Sequence, residues 1–146
     1  MPRLLRIDSS SRREGSHSRQ LADRVQAKWL QENPRGQVLV RDLASAPIPH
    51  ISEATISAFF TPKQQHSVKS RKAAALSDEL IGELLAADAL LISVPIYNFS
   101  IPSALKAYID HVVRIDHTFA FDPQKGLHGL IGNKRAFVAA AYGAAG

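Results

Sequence analysis

Residues 89–113 constrain this chain more than any other stretch. Ala89-Leu90-Leu91-Ile92-Ser93-Val94 is an apolar run of the kind that a parallel strand buried on both faces requires. Ser103-Ala104-Leu105-Lys106-Ala107-Tyr108-Ile109-Asp110-His111-Val112-Val113 reads as a helix, with Pro102 suited to its first turn. Between them lies Pro95-Ile96-Tyr97-Asn98-Phe99-Ser100-Ile101-Pro102. A loop with an aromatic pair and an amide therefore sits at the carboxyl end of a central strand, the edge where open α/β sheets bind ligands. Flat apolar surface beside amide hydrogen bonds suits a planar heteroaromatic ring.

The flanking sequence repeats the strand–helix alternation. Strands are predicted at 3–8, at 37–43 after the turn signal Pro34-Arg35-Gly36, at 89–94, and at 134–141. Helices are predicted at 17–31, with Leu21, Val25 and Trp29 on one face, at 64–87, with Leu76, Leu80, Leu84 and Ala87 on one face, and at 103–114. Residues 44–62 read as an irregular excursion. So do 116–133, apart from a short β segment at 118–121. The alternation predicts an α/β fold: a doubly wound parallel sheet in three α/β/α layers, forming one domain over 1–146. The strand at 134–141 runs out at Gly146, so the reading expects a final strand and helix to be missing and the sheet edge to be open.

The first strand opens into Asp8-Ser9-Ser10-Ser11-Arg12-Arg13-Glu14-Gly15-Ser16-His17-Ser18-Arg19, five serines and a glycine leading into a helix. Hydroxyls, free amides and the positive helix end together make an anion site. A serine-rich N-cap without a ligand is the plainer alternative, but one cap does not need five hydroxyls. Walker and Gly-x-Gly-x-x-Gly signatures are absent.

Other chemistries find little footing. There are no cysteines, which excludes thiolate ligands, Cys nucleophiles and disulfides and permits a reducing cytoplasm. The six histidines form no ligand-spaced pair, so no metal site is expected, and His111 reads as a helix-surface residue. No Gly-x-Ser-x-Gly elbow or paired carboxylates appear, so no catalytic side chain is assigned. No apolar span is long enough to cross a membrane. The net charge of +5 resides entirely in residues 1–41, which carry nine basic and four acidic side chains. Without interleaved aromatics, that basic third is not expected to bind nucleic acid. A phosphate cradle and a ring-binding loop without acid, base or nucleophile point to chemistry carried by a bound cofactor, and phosphate plus flat ring describes flavin mononucleotide (FMN) at the switch point of a flavodoxin-like sheet.

The chain also resembles the FMN-dependent NADH-azoreductase family over essentially its whole length. The resemblance rests on Ser9-Ser10 with Ser16-His17-Ser18, Val40-Arg41-Asp42-Leu43-Ala44 with Pro47-Ile48-Pro49, Ala75-Leu76-Ser77-Asp78-Glu79-Leu80-Ile81, Pro95 to Phe99, Leu105-Lys106-Ala107-Tyr108-Ile109-Asp110, Thr118-Phe119 and Gly129-Leu130-Ile131-Gly132-Asn133-Lys134. It implies that Ser10, Ser16, His17 and Ser18 hold phosphate. Pro95, Ile96, Tyr97, Asn98 and Phe99 would line the isoalloxazine, with backbone N–H groups near its reactive edge. Ala141, Tyr142, Gly143 and Ala144 would contact the pyrimidine end, and Phe121 would lie near the partner subunit's flavin. It further implies a homodimer that takes hydride from NADH and reduces azo compounds and quinones by a ping-pong scheme. The chain departs from the family at Ile96, where Met is usual, and at Ala141-Tyr142-Gly143-Ala144, where a Ser/Thr-Arg/Gly-Gly loop is usual. A flavodoxin-like quinone reductase or electron carrier, the latter favouring an acidic surface, and a shortened non-catalytic flavodoxin-like dimer are the alternatives.

Overall fold

The computed structural model describes residues 1–143. They form two compact units, one from Met1–Ile48, Ala86–Lys106 and the segment from Asn133 on, the other from Pro49–Leu85 and Ala107–Gly132.

The first unit is built on four parallel strands: β1 (Arg3–Asp8), β2 (Gln37–Asp42), β3 (Ala89–Pro95) and β6 (Arg135–Ala141), in the order β2-β1-β3-β6. The sequence locates each to within a residue or so. Helix α1 (His17–Glu32) packs on β3 and β6. Of its predicted face, Trp29 is buried and Val25 packs partly buried against the core, while Leu21 is exposed and the small Ser18 and Ala22 complete the buried stripe. The core beneath joins Leu4, Ala22, Trp29, Ala89, Leu91 and Ala139, with Val25 and Phe137 partly buried against it. Fully burying an aliphatic side chain of this size stabilises by about 1.5–3 kcal/mol. Gly36 approaches the Trp29 ring so closely that a Cβ would lie 2.4 Å from it, so this turn admits only glycine.

Register decides what meets at the carboxyl edge. Asp8 pairs with Asp42 on one side and Ser93 on the other, and Pro95 pairs with Ala141. The ends of all four strands thus present their loops along one line.

The second unit holds α2 (Glu53–Phe59), α3 (Val68–Ala86) for all but its last residue, most of α4 (Ser103–Val112), and an antiparallel hairpin of β4 (Phe119–Asp122) and β5 (Gly126–Gly129). Helix α2 corrects the irregular reading of 44–62. Ser52 and Thr55 cap it reciprocally, each side chain reaching the other's backbone amide. His111 also overturns its surface assignment. It is 3% exposed, and its Nε2 faces the Pro49 carbonyl at 2.9 Å, so that nitrogen donates. Arg114 is equally buried, bonded to Asp78 at 2.6 Å and stacked 4.7 Å over the Phe59 ring. A long apolar stem and a planar, weakly hydrated cation make Arg the residue for such a place. No helix among the described residues is long and apolar enough to cross a membrane.

Candidate functional site

A cleft of about 300 Å³ opens at the carboxyl edge of the first unit. One end is lined by Ser10, Ser11, Arg12, Gly15, Ser16, His17 and Ser18, the other by Pro95, Ile96, Tyr97, Ala141, Tyr142 and Gly143.

The polar end is the N-terminus of helix α1. Ser16 caps α1, its hydroxyl accepting from the Arg19 amide and its carbonyl from Gln20. The Ser16, His17 and Ser18 amides precede the first intrahelical bond, and Arg19's is capped, so these three are the ones that an anion can take. Gly15 has a φ of +67° and open space where its Cβ would be, which lets the loop turn into the helix beside the cleft. Ser9 has another role: its hydroxyl donates to the Ser93 carbonyl at 2.6 Å, riveting the loop's root to β3.

Beneath this loop runs a chain of charges that the sequence does not reveal. Arg6, only 6% exposed in the middle of β1, bonds Asp8 at 3.0 Å, Asp23 at 2.6 Å and Gln26 at 3.1 Å. Burial opposes its charge, but the Asp23 and Asp8 bonds win and raise its pKa above the ordinary arginine value. Arg19 grips the Asp42 carboxylate with both terminal nitrogens, at 3.0 and 2.9 Å, and donates to the Ser10 carbonyl at 2.8 Å. That bidentate clasp, reinforced by the Ala44 amide and Ser45 hydroxyl, holds the Asp42 carboxyl well below the usual carboxylate range. Both of these arginines are thus committed to carboxylates, and the polar end of the cleft is lined instead by the serines, the loop backbone, His17 and the cationic Arg12.

At the other end the chain makes a tight reversal. Tyr97 and Ser100 exchange backbone bonds of 2.9 and 3.0 Å around Asn98 and Phe99, whose φ values of 48° and 64° are both left-handed. A two-residue turn with positive φ at both positions is the hairpin geometry that Asn tolerates and Phe does not favour. The Phe99 side chain projects fully into solvent. The Ile96 amide is taken by the Ala141 carbonyl and the Tyr97 amide by Ser100. Of the backbone amides along Ile96 to Phe99, those of Ile96 and Tyr97 are thus engaged within the protein. Across the cleft the Tyr97 phenol meets Ser11, 3.3 Å from its amide and 3.0 Å from its hydroxyl. Burial would raise the phenol's pKa, but bonds to Ser11 and Ser10 and the charge of Arg12 outweigh it and lower it.

The cleft therefore unites Ser10, Ser16, His17, Ser18, Pro95, Ile96, Tyr97, Ala141, Tyr142 and Gly143. Asn98 and Phe99 lie in the turn beyond its lining, Phe121 lies in β4 of the other unit with its ring exposed, and Ala144 falls outside the described residues. Ser11, Arg12 and Gly15, which belong to the serine loop read as an anion site but not to the residues that the resemblance names, also join the lining. Among the described residues no cluster of His, Asp or Glu could hold a metal ion.

Residues 2–146 match the family model described as flavodoxin-like fold. An FMN-dependent NADH:quinone oxidoreductase of Xanthobacter autotrophicus is 56% identical over 144 residues, covering 99% of this chain and 69% of that one. A crystal structure of azoreductase from Bacillus anthracis superimposes with a TM-score of 0.90 at 28% identity, over 99% of this chain and 71% of that one. An FMN-dependent NADH-azoreductase from the same species, solved in complex with FMN, matches in fold with a TM-score of 0.82 at 22% identity, over 98% of this chain and 70% of that one. A parallel sheet whose strand ends carry a serine-lined helix start and an aromatic turn, matched almost end to end by that model, settles the lineage: the chain belongs to the flavodoxin-like fold family.

Proposed function

We propose that this chain is an FMN-dependent oxidoreductase that uses NADH to reduce quinones and azo compounds. The observation that carries the reading is the cleft, which joins an anion-binding helix start to an apolar, aromatic-walled slot in one continuous groove. Its relatives at 56% identity and 28% identity are, respectively, an FMN-dependent NADH:quinone oxidoreductase and an azoreductase.

The residues present fit the cofactor. A phosphate needs several short-range donors, which the amides at the positive end of α1 and one hydroxyl of the mutually bonded Ser16–Ser18 pair would supply. A flat ring needs apolar contact, which Pro95, Ile96 and Tyr97 provide on one side and Ala141 and Tyr142 at the end. When bound, FMN supplies the hydride chemistry that no side chain here carries. The chain's own part is to bind, orient and exclude water. The Asn98 and Phe99 amides, in the left-handed turn next to the lining, would be the donors to meet charge on a ring lying against Ile96. The acceptor enters after the spent nicotinamide leaves the same place, in ping-pong order. The protein works as a homodimer, for which the exposed cross-strand pair Phe121 and Leu127 offers an apolar surface, and it works in the cytoplasm, where NADH is available.

Titrating the chain with FMN while following flavin fluorescence tests the reading. Saturation at one FMN per chain, followed by NADH oxidation dependent on a quinone or an azo dye, is the expected result. Failure to saturate sinks it. With turnover established, parallel double-reciprocal lines support the ping-pong order and intersecting lines remove it.

A further inference from the structure

Tyr97 belongs to the ring-binding loop by sequence, but its hydroxyl is spent elsewhere. It reaches across 86 residues of sequence to the loop after β1, where it lies 3.3 Å from the Ser11 amide and 3.0 Å from the Ser11 hydroxyl. The Tyr97 backbone is in turn fixed by its two bonds to Ser100, around a turn that holds both central residues left-handed. Strain of that sort persists only where the surroundings enforce it, and it gathers at functional sites.

Ser11 needs such a hold. Its neighbours are anchored: Ser9 to the Ser93 carbonyl, Ser10 through its carbonyl to Arg19, and Arg12 through its amide to the Ser10 hydroxyl. Ser11 itself is exposed at the apex, with Tyr97 as its tether. Ordering a loop residue costs about 1–2 kcal/mol of conformational entropy, so a loop already shaped before an anion arrives binds it more tightly.

We propose that Tyr97 is a positioning residue for the phosphate subsite: through Ser11 it holds the serine loop closed on the anion, and it thereby sets the preference for a phosphorylated flavin over the same flavin without phosphate. The inference rests on the flavin reading above and deepens it. It makes the aromatic wall of the cleft a link between two subsites rather than a ring platform alone.

Riboflavin differs from FMN only in lacking the phosphate, so the pair isolates the effect. Fluorescence titrations of wild type, Tyr97→Phe and Ser11→Ala with each flavin are compared. Tyr97→Phe keeps the ring and loses the hydroxyl; it is expected to weaken FMN about three- to tenfold, the worth of one or two hydrogen bonds, and to leave riboflavin within about twofold. Ser11→Ala is expected to give a smaller loss of the same kind. The double variant is expected to lose less than the sum, because both changes break one link. Equal losses for the two flavins would make Tyr97 a ring contact and overturn the proposal. So would an unchanged preference, or tighter FMN binding, which would mean that the phenol competes with phosphate for the Ser11 amide. If wild type binds neither flavin, the flavin reading itself fails, a result distinct from all of these. Thermal melts and near-ultraviolet circular dichroism verify that each variant is folded, and Ser11→Ala carries the test should Tyr97→Phe not fold.

Discussion

At Phe99 the backbone is left-handed and the side chain meets only water, a combination that neither packing nor propensity favours. A non-glycine residue held there costs about 1–3 kcal/mol, while glycine adopts the geometry freely but loses more chain entropy on folding. Phe99→Gly is therefore expected to stabilise the chain by roughly 0.5–1 kcal/mol, raising its melting temperature by about 2–4 °C. Phe99→Ala, which keeps a Cβ, is expected to gain nothing. A thermal melt of the three proteins decides it, and destabilisation by glycine would mean that the ring makes contacts in solution. Single residues are also where sequence is hardest to read. Arg6 sits in a strand whose other interior residues are apolar and gives no hint that it is buried; its partners Asp23 and Gln26 lie a helix away. His111 lies on the same helix as Leu105 and Val112, but periodicity cannot say that a backbone carbonyl waits for its ring. Ser11 and Tyr97 are too far apart in sequence for any local pattern to join them.

Among elements, Arg19 is the joint: from the first turn of α1 it clasps the end of β2 through Asp42 and steadies the loop after β1 through the Ser10 carbonyl. The folded Asp42 carboxyl titrates below its ordinary value. Its contribution is therefore complete above the unfolded value of about 3.9 and is lost as pH falls below it toward the folded value. Asp42→Asn is expected to cost roughly 2 kcal/mol at neutral pH and to flatten the fall in stability below about pH 4. Urea denaturation at a series of pH values measures both, and an acid limb as steep as the wild type's would refute the assignment. Elements were the most legible level of the sequence. Apolar runs bounded by Pro, Gly and Ser located all four parallel strands and both ends of α1 closely, because burial on two faces leaves little freedom of composition. Helix α2 escaped because its capping partner is Thr55, not the Glu or Gln that makes a capping box recognisable, and because Pro47 and Pro49 precede it. The face of α1 is legible at Val25 and Trp29 but not at Leu21, which is left in solvent because the sheet accepts the small Ala22 and Ser18 instead.

At the scale of the molecule, the cleft exists only where β1 and β3 lie side by side, although its two walls are more than 80 residues apart in the chain. Parallel neighbours joined by a long crossover are slow to find each other, since loop closure must come before the contacts that reward it. The groove is thus expected to form late, leaving a flavin nothing to hold until folding is nearly over. Such a ligand cannot speed its own protein's folding; it can only delay unfolding. Refolding followed through Trp29, the single tryptophan and part of the core beneath α1, is expected to show the same folding rate with and without FMN, while FMN at 100 times its dissociation constant slows unfolding about a hundredfold. Folding accelerated by FMN would mean that the β1–β3 pairing is made early. Otherwise the cofactor acts as a lock fitted after assembly, and the lifetime of the loaded protein, rather than the speed with which it is made, is what a cell's supply of flavin controls.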